Sequence, residues 1–540
     1  MIRLKKLTAI ALIIALALLF TGCLGVKTVD QYSLVPESTG GKDVEPAPAA
    51  DSVISLNYNR KYSLNPIIAT NHSNQLVCNL VYENMVEIDN NFDVIPNIIT
   101  EWSCNEGGTV WNFKLDTTHV FHDGTPVRGI DLSYSLQRCI FADRFTGRFA
   151  SFQGCNFSDD SLEVYLGIGD TQFVKLLNVP VIKYGTYTVN RDDFPPVGSG
   201  PYAFSEDLTQ LVAFEGYPNY DTLPVDTIYL VEYTTAAEIL SAFEDSYIDI
   251  ALNDPSSYSS LGFASSDETH PYATTNMHYV VINHESTVGR YVAFRYAMNY
   301  AFDRDYFEDQ LMSGNAVASS VPMYPTCSLY PSTLADSLDY DLVVCKRILE
   351  NGGIMDYDDD GKLELMQGAP DLTIVFLVCS DNSAKNGVVR RFASDMESIG
   401  ITVEIHSLVW DQYIEALENG EFDLYYGEMK LRADFDVTEL FDIRTKDNED
   451  RNINYSGNTD PSFLNYINAY LSAGGAGESG DYERRQKYID MVKYITDDGG
   501  LITIGFEKQQ LIVHRGIIRG VAPNAGNPLY DFVNWQITLK

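Results

Sequence analysis

The amino-acid sequence predicts a mixed α/β protein with more than one domain. A chain of 540 residues is too long for one hydrophobic core, and 45% apolar residues are enough to fill two or three. Residues 110–136 show the pattern of a strand, a turn and a helix. Residues 372–405 show a strand, a helix and a second strand, which is the repeating unit of an α/β lobe.

The strand in the first of these segments is the most clearly patterned one. Trp111, Phe113 and Leu115 alternate with the polar residues Asn112 and Lys114. This alternation has the period of two residues that a half-buried strand requires. We therefore expect the three apolar side chains to face a core.

The residues after this strand predict a sharp turn and the start of a helix. Phe121 opens the turn, Gly124 supplies backbone freedom, and Asp123 can accept a hydrogen bond from its own main chain. Pro126 disfavours helix immediately before it. We expect Asp131 to cap the helix that follows.

The remaining elements follow from hydrophobic periodicity and from turn and capping residues. The predicted strands cover residues 53–56, 162–166, 179–182, 249–252, 372–379, 401–405, 501–506 and 511–513. The predicted helices cover residues 76–85, 236–243, 288–302, 341–351, 388–398 and 484–494. Phe294, Met298 and Phe302 share one stripe of their helix, and we expect them to be core residues.

The N-terminus resembles a secretory signal. Basic residues precede an apolar run, residues 7–20, that is too short to span a bilayer but fits a signal sequence. Residues 19–23 resemble a bacterial lipobox that ends at Cys23, so we expect Cys23 to be lipidated. The alternative is a free cysteine near an ordinary cleavage site. We expect residues 1–22 to be a signal peptide.

Residues 23–50 are predicted to form a lipidated tether. This stretch is rich in Ser, Thr, Gly, Pro and acidic residues and has no sustained hydrophobic period. A disordered tether of this length has a reach on the order of 25–30 Å, which is enough to hold a folded body away from a membrane.

The charge balance excludes nucleic acid as a partner. The chain has 37 basic and 75 acidic residues and a formal net charge of −38. Such a charge repels nucleic acid and anionic lipid headgroups. The N-terminal lipid is therefore the expected contact with the membrane.

The cysteines indicate neither a metal site nor a complete set of disulfides. Seven cysteines remain besides Cys23, and an odd number cannot all be paired. Neither CxxC motifs nor Cys/His clusters at zinc spacing occur in the sequence. We interpret most of these cysteines as small buried apolar residues, with one or two disulfides possible.

The turn described above resembles a family signature. Residues 121–126, FHDGTP, followed by Gly129-Ile130-Asp131-Leu132, are similar to the FHDGTP-xxAeDV motif of the family 5 solute-binding proteins, the peptide, nickel and oligosaccharide receptors of ABC importers. Further blocks in the same order resemble that family. They are residues 64–66, 81–85, 96–102, 196–202 and 294–304.

The resemblance implies a periplasmic-binding-protein-like fold with two lobes and a hinge, of the cluster C type, which has three domains including an extra one. Domain I would be discontinuous and would combine residues 51–75, 190–275 and 505–540. Domain II would cover residues 76–189, and domain III residues 276–504. The chain crossings near residues 275 and 505 would form the hinge.

The resemblance also implies the function. We expect a monomeric extracytoplasmic lipoprotein, anchored to the cell membrane, that captures a small-molecule or peptide ligand and delivers it to an ABC permease. An oligopeptide or dipeptide is the expected ligand, with no cofactor and no catalytic activity. The alternatives are a receptor of the same fold for an oligosaccharide or a metal complex, a receptor used in signalling, and a secreted lipoprotein hydrolase.

One segment suggests how a ligand is held. Residues 431–435, LRADF, resemble the W-x-aDY segment of peptide-binding members, in which the Asp pairs with the α-amino group of the peptide. That role carries over to Asp434 as a candidate amine anchor, and Arg432 is a second candidate ligand-binding residue. The alternative is a surface carboxylate beside a solvated arginine.

Two other patterns could suggest metal sites. Asp356, Asp358 and Asp360 have the spacing of the start of a calcium loop, but Gln367 stands at position twelve, where an EF-hand requires a bidentate Glu. We therefore favour a solvated acidic turn over a calcium site. His119 and His122 lack further ligands nearby in sequence, and we expect His122 to be a structural hydrogen-bonding residue.

Overall fold

The structure is a computed structural model that describes residues 54–187, 194–255, 267–443, 453–475 and 478–538. All of these residues belong to one structural unit, which spans residues 49–540. The predicted signal peptide, residues 1–22, and the predicted tether with Cys23, residues 23–50, lie outside the described residues. None of the helices in the described ranges combines the length and the apolar character needed to cross a membrane.

The secondary structure alternates strands and helices along the chain. The strands are β1 (Ile54–Tyr58), β2 (Val86–Ile88), β3 (Val94–Pro96), β4 (Ile99–Cys104), β5 (Val110–Leu115), β6 (Phe152–Phe157), β7 (Ser161–Leu166), β8 (Tyr202–Phe204), β9 (Gln210–Ala213), β10 (Thr227–Glu232), β11 (Ile250–Asn253), β12 (Asp267–Ile282), β13 (Ala316–Ala318), β14 (Thr373–Cys379), β15 (Thr402–Leu408), β16 (Leu424–Lys430), β17 (Leu501–His514), β18 (Ile518–Arg519) and β19 (Gln536–Ile537).

The helices pack on the faces of the sheets that these strands form. They are α1 (His72–Val81), α2 (Gly129–Ile140), α3 (Ala236–Glu244), α4 (Val292–Ala297), α5 (Ser332–Asp336), α6 (Leu342–Asn351), α7 (Ser383–Ser398), α8 (Trp410–Asn419), α9 (Thr438–Phe441), α10 (Ser462–Leu471) and α11 (Glu478–Tyr494).

One large sheet runs through the molecule. Its strand order is β15-β14-β16-β12-β17-β11-β1-β10-β9-β8, and β13 pairs with β17 outside this order. Strands β14, β15 and β16 are parallel neighbours at one end, and β1 and β10 are parallel at the other. The mixed α/β class predicted from the sequence is therefore confirmed.

The two longest strands, β12 and β17, connect the two ends of this sheet. They are antiparallel to each other, and the second half of β12 also pairs with β16, while the second half of β17 pairs with β11. The register between them shifts from Ala273 to Met277, which is a β-bulge opposite Glu507. The two late strands predicted at residues 501–506 and 511–513 are thus one continuous strand.

The α/β unit predicted at residues 372–405 is present. Ile374 and Phe376 of β14 are buried, and the ring of Phe392 in α7 lies 5.2 Å from that of Phe376. The helix begins at Ser383, earlier than predicted, because the side chain of Asn382 accepts hydrogen bonds from the Ala384 and Lys385 backbone N–H groups.

A separate antiparallel sheet, in the order β4-β5-β7-β6, lies within residues 76–189. The apolar side chains of β5 face its core as predicted. Trp111 and Phe113 are buried and stack with ring centroids 5.5 Å apart. Helix α2 packs beside β6 and β7.

Asp131 is not the N-cap of α2. The helix begins at Gly129, so Asp131 occupies its third position, and its carboxylate accepts a hydrogen bond from the Arg128 backbone N–H at 3.0 Å. Its other oxygen accepts from the Tyr184 backbone N–H at 2.8 Å. The carboxylate therefore stabilises the helix start from within the first turn.

Two other predicted elements differ in extent. The helix predicted at residues 76–85 runs from His72 to Val81, because Asn71 caps it and the chain becomes extended at Tyr82. The strand predicted at residues 179–182 reduces to one bridge between Asn84 and Pro180, since proline has no N–H to extend the ladder.

The helix predicted at residues 288–302 is α4 followed by a 3-10 turn over Met298–Tyr300. Phe294, Met298 and Phe302 are buried, which confirms their assignment to the core.

The seven cysteines of the described part of the chain are all free thiols, so none of the disulfides that we considered possible is formed among them.

Candidate ligand-binding site

The candidate amine anchor lies where the two halves of the large sheet meet. Strand β16 ends at Lys430, which pairs with Asn276 of β12 inside the bulge opposite Glu507. The next residues leave the sheet at this crossing. Arg432 and Asp434 are therefore placed by the end of a strand rather than by a free surface loop.

Arg432 holds three carboxylates together. Its guanidinium contacts Asp434 through two nitrogens, with Nε 3.1 Å from Oδ1, and contacts Asp436 at 3.0 Å. The same group lies 3.4 Å from an oxygen of Asp170, which belongs to the loop after β7. We call Asp170, Arg432, Asp434 and Asp436 the acidic cluster.

Asp434 is not the surface carboxylate of the alternative interpretation. Its side chain is 0% exposed, and that of Asp170 is 3% exposed. The backbone carbonyl of Asp434 accepts a hydrogen bond from the Tyr470 hydroxyl at 2.5 Å, and Gln172 donates to the same hydroxyl at 3.0 Å. The position of Asp434 is thus fixed by packing and hydrogen bonds.

The pKa values of Asp170 and Asp434 are shifted in opposite directions. Burial raises the pKa of Asp170 well above its ordinary value, and the neighbouring Asp434 raises it further. Burial would also raise the pKa of Asp434, but Arg432 outweighs it and lowers the pKa. Ionisation is therefore favoured at Asp434 and disfavoured at Asp170.

Contacts beside the cluster join residues 76–189 to residues 276–504. The Thr171 backbone N–H donates to the carbonyl of Leu471 at 2.8 Å, and the Thr171 hydroxyl donates to that of Ala473 at 2.5 Å. Arg484 donates to the Thr171 hydroxyl at 3.1 Å. Because these segments touch across the cluster, Asp434 is covered in this structure.

Sequence reasoning did not find Asp170, nor the cations Arg144, Arg148 and Lys430 that lie near the cluster. These residues come from separate segments, and no local pattern indicates which segments meet. The four-residue spacing of Arg144 and Arg148 was the one available signal.

The calcium-like loop forms a compact set of carboxylates. Oxygens of Asp356, Asp358, Asp360 and Glu364 lie within 4.8 Å of one another. Asp356 already accepts hydrogen bonds from two backbone N–H groups of the loop, the shorter from Gly361 at 2.9 Å. Glu364 accepts from the Tyr357 N–H at 2.8 Å. A cation here would compete with these internal donors.

The two histidines of the first turn serve local structure. His122 Nε2 lies 3.0 Å from the carbonyl of Gly200, and burial lowers the pKa of His122 to about 4. It is the structural hydrogen-bonding residue that we expected. His119 lies 3.0 Å from a carboxylate oxygen of Glu83.

An open depression of about 410 Å³ lies elsewhere, between the β2–β3 turn and residues 521–530. Its lining includes Asp89, His270 and Tyr530, and none of the acidic cluster. The charged groups at the sheet crossing are therefore the better candidate site.

Known proteins resemble this chain in sequence and fold. Oligopeptide-binding protein AppA of Bacillus subtilis is 20% identical over 467 residues, 81% of this chain and 83% of that protein. Heme-binding protein A of Haemophilus influenzae is 21% identical over 383 residues, 63% of this chain and 67% of its own length. The crystal structure of NikZ from Campylobacter jejuni in complex with Ni(L-His) superposes with a TM-score of 0.65 at 16% identity, over 91% of this chain and all of that one.

A family model covers most of the described chain. It is that of the bacterial extracellular solute-binding proteins, family 5 Middle, and it matches residues 93–443. The match includes the FHDGTP turn and the whole 431–435 segment, and the solved structures share the two-lobed periplasmic-binding-protein fold. The chain therefore belongs to family 5 of the bacterial extracellular solute-binding proteins, the substrate-binding components of ABC transporters.

Proposed function

We propose that this protein captures a peptide through its free α-amino group and delivers it to an ABC permease. The observation that carries the proposal is the acidic cluster at the sheet crossing. Three carboxylates, Asp170, Asp434 and Asp436, surround the single guanidinium of Arg432. The cluster thus has the capacity to hold a second cation, and a peptide ammonium is such a group.

The ammonium would bind at Asp434. A buried ammonium requires an opposite charge with a good hydrogen bond, and Asp434 supplies an ionised carboxylate there. Arg432 can keep its contact with Asp436, 3.0 Å away, when some of its contacts with the Asp434 carboxylate are replaced by contacts with the ligand. A proton that leaves Asp170 as the ammonium binds would keep the net charge of the cluster unchanged.

Access to Asp434 requires the lobes to separate. Asp170 and Thr171, which belong to residues 76–189, cover Asp434. Asp170 contacts Arg432, and Thr171 contacts Leu471 and Ala473, all of residues 276–504. We propose the division into domain I (51–75, 190–275 and 505–540), domain II (76–189) and domain III (276–504). The hinge lies at the crossings near residues 275 and 505, where the bulge in β12 faces Glu507.

We also propose a lipid anchor at Cys23, a monomeric state and no catalytic role. The anchor follows from the lipobox-like residues 19–23 and would hold the protein on the extracytoplasmic side of the cell membrane. The proposal of no catalytic role is supported by the family, whose members serve transport.

The experiment compares parent protein with Asp434→Asn. Calorimetry would use an equimolar pool of tripeptides with free N-termini and the same pool after N-acetylation. We expect the parent to prefer the free-amine pool, and Asp434→Asn to weaken its binding by roughly 30- to 4,000-fold in Kd, since removing one partner of a buried pair costs about 2–5 kcal/mol.

Asp436→Asn is the matched control. It removes one carboxylate from the same guanidinium, two residues away, and leaves Asp434 in place. It should change Kd by less than the Asp434 variant does. Equal affinity of the parent for free and acetylated peptides would reject the amine anchor and favour an oligosaccharide or a metal complex as ligand.

A further inference from the structure

The depression that lies apart from the acidic cluster is formed by three distant segments of the chain. Its walls are the β2–β3 turn, the first half of β12 and residues 521–530, and its volume is about 410 Å³. Sites for small molecules have volumes of roughly 300–1,000 Å³. We call it the edge depression, and its lining includes Asp89, His270, Pro271, Asn524 and Tyr530.

We propose that the edge depression binds a neutral polyhydroxy compound of the size of a mono- or disaccharide. This inference goes beyond the proposed function and does not depend on it, because none of the acidic cluster lines the edge depression. A hydroxyl group both donates and accepts hydrogen bonds. The edge depression offers partners of both kinds together with apolar surface.

Asn524 supplies a hydrogen-bond donor that the protein does not use. Its side chain is buried, and its Oδ1 accepts from the N–H groups of Gly526 at 3.0 Å and Asn527 at 2.7 Å, which fixes the orientation of the amide. Its buried Nδ2 has no hydrogen-bond partner, whereas Nδ2 of the buried Asn74 donates to the carbonyl of Asn59 at 3.0 Å. A buried donor without a partner is unfavourable, so an acceptor oxygen placed here would bind.

His270 adds a second nitrogen without a hydrogen bond. Its Nε2 is buried and has no hydrogen-bond partner, although a carboxylate oxygen of Glu268 lies 3.4 Å away. Burial lowers the pKa of His270, which favours the neutral imidazole. Nε2 of a neutral imidazole is a donor in one tautomer and an acceptor in the other. A hydroxyl group can pair with either tautomer, while a carbonyl or carboxylate oxygen pairs with only one.

The edge of β12 supplies an acceptor. Among the described strands, β17 alone pairs with the first half of β12, because β16 joins it only from Asn276 onward. The Ala273 N–H donates to Asn90 Oδ1 at 3.1 Å on the unpaired side, and the alternation of peptide groups places the Pro271 carbonyl on that side too. Since Pro271 has no N–H and the Ala273 N–H is occupied, this edge suits a small molecule better than an added strand.

Asp89 determines the charge of the ligand. Its Oδ1 accepts from the N–H groups of Asn91 at 2.8 Å and Asp93 at 2.9 Å, and these bonds use only one of its two oxygens. Lysine and arginine are absent from the described residues that line the edge depression. A carboxylate without a neighbouring cation disfavours phosphates and sugar acids, and therefore favours a neutral ligand.

Asn90 holds the walls together. Its Nδ2 donates to the carbonyl of Pro523 at 2.9 Å, and its Oδ1 accepts from Ala273 of β12. Its backbone carbonyl accepts from the Thr326 hydroxyl at 2.9 Å. One residue of the β2–β3 turn thus links the other two walls. Walls that are fixed before a ligand arrives reduce the entropy lost on binding.

Apolar surface completes the site. Ile95, Val521, Pro523 and Tyr530 are among the lining residues. The C–H face of a sugar ring can pack on such side chains while its hydroxyl groups reach the polar ones, as an aromatic ring combines an apolar face with polar neighbours. Because the edge depression is open to solvent, part of the ligand stays in water, and we expect a Kd on the order of 1 mM.

The test uses glucose, galactose, N-acetylglucosamine and maltose as probes, with saturation-transfer NMR for detection and titration for Kd. We expect at least one of them to bind the parent. Asn524→Asp keeps the acceptor that the Gly526 and Asn527 N–H groups require but removes the donor, and His270→Phe keeps a ring but removes both nitrogens. Each should weaken binding roughly 3- to 10-fold in Kd, the effect of one lost hydrogen bond.

Asn91→Asp is the matched control. It makes the same change as Asn524→Asp in the β2–β3 turn, at an exposed residue that does not line the edge depression, and should leave Kd unchanged. Glucuronate tests the charge: it should bind the parent more weakly than glucose, and Asp89→Asn should reduce that difference. If urea unfolding shows that Asn524→Asp does not fold, His270→Phe decides the test.

The outcomes separate the edge depression from the acidic cluster. Weaker sugar binding in Asn524→Asp and His270→Phe, with unchanged binding in Asn91→Asp and Asp434→Asn, supports the site. Sugar binding that is lost in Asp434→Asn but kept in the two depression variants overturns it and assigns the sugar to the acidic cluster. A parent that binds none of the four sugars, or binds glucuronate as well as glucose, also overturns it, and the peptide prediction at Asp434 stands in either case.

Discussion

Asp170 is a buried carboxyl group whose protonation we expect to change when a ligand binds at Asp434. It contacts Arg432 from a different part of the chain, and burial together with Asp434 raises its pKa. At a pH below that raised pKa the group carries a proton in the unliganded protein. An ammonium at Asp434 would favour the ionised form of Asp170, and the proton would then leave.

We predict that binding of free-amine peptides releases a proton from Asp170. The affinity should therefore rise with pH up to the raised pKa of Asp170, since proton release makes binding stronger when protons are scarce. Calorimetry in buffers with different ionisation enthalpies measures the released proton directly. Asp170→Asn has no such proton, so its binding enthalpy should not depend on the buffer, and a parent enthalpy that is also independent of buffer would refute this linkage.

Family resemblance and local sequence patterns predicted only some of the residues of the candidate ligand-binding site. The resemblance of residues 431–435 nominated Asp434 and Arg432, and the structure places both at the sheet crossing. It could not nominate Asp170 or Lys430, because the partners of a residue depend on which distant segments fold together. Whether Asp434 binds an amine remains a prediction.

At the scale of elements, the turn between β4 and β5 positions the loop that carries Asp170. Gly108 has a φ of +68°, and a Cβ there would lie 2.5 Å from the Asp170 carbonyl carbon. The Trp111 indole donates to the carbonyl of Asp170 at 2.9 Å. This close approach of two backbones admits only glycine at position 108.

We predict that Gly108→Ala lowers the free energy of unfolding more than Gly107→Ala does. Both glycines have positive φ, which costs alanine about 1–2 kcal/mol, but a Cβ on Gly107 meets no atom within 4 Å. The overlap at position 108 should add about 1–3 kcal/mol. Urea unfolding of the two variants measures the difference, and equal losses would show that Asp170 does not depend on this contact.

The elements with strong hydrophobic periodicity were predictable, while their ends were less so. The alternation around Trp111 and the apolar run of β14 identified strands that the structure contains. Asn71 and Asn382 begin their helices earlier than the apolar pattern suggests, because a capping side chain adds a polar first turn. The continuity of β17 depends on its pairing with β12 and β11, which a single segment does not reveal.

At the scale of the whole molecule, the proposed lipid anchor can be tested separately from the folded body. We predict that Cys23→Ala releases the protein from the membrane and leaves its unfolding transition unchanged, because the residue lies in the predicted tether, 23–50. Fractionation of cells with a membrane-protein marker measures the release. Retention of Cys23→Ala in the membrane fraction at the level of the parent would reject the anchor.

The arrangement of the sheet predicts how the body moves. Among the strands of the described ranges, only β12 and β17 connect β16 to β11 within the sheet, and their bulge lies beside Lys430. Rotation at this point would separate Asp170 and Thr171 from Arg432 and Ala473 and uncover Asp434. A ligand that binds both sides only in the closed form shifts the population toward it.

Small-angle scattering of the parent protein with and without the free-amine tripeptide pool tests the central claim most directly. The account predicts a smaller radius of gyration at saturating peptide, and no decrease for Asp434→Asn at the same peptide concentration. A parent radius of gyration that stays the same at a concentration where calorimetry shows saturation would contradict capture between two hinged lobes.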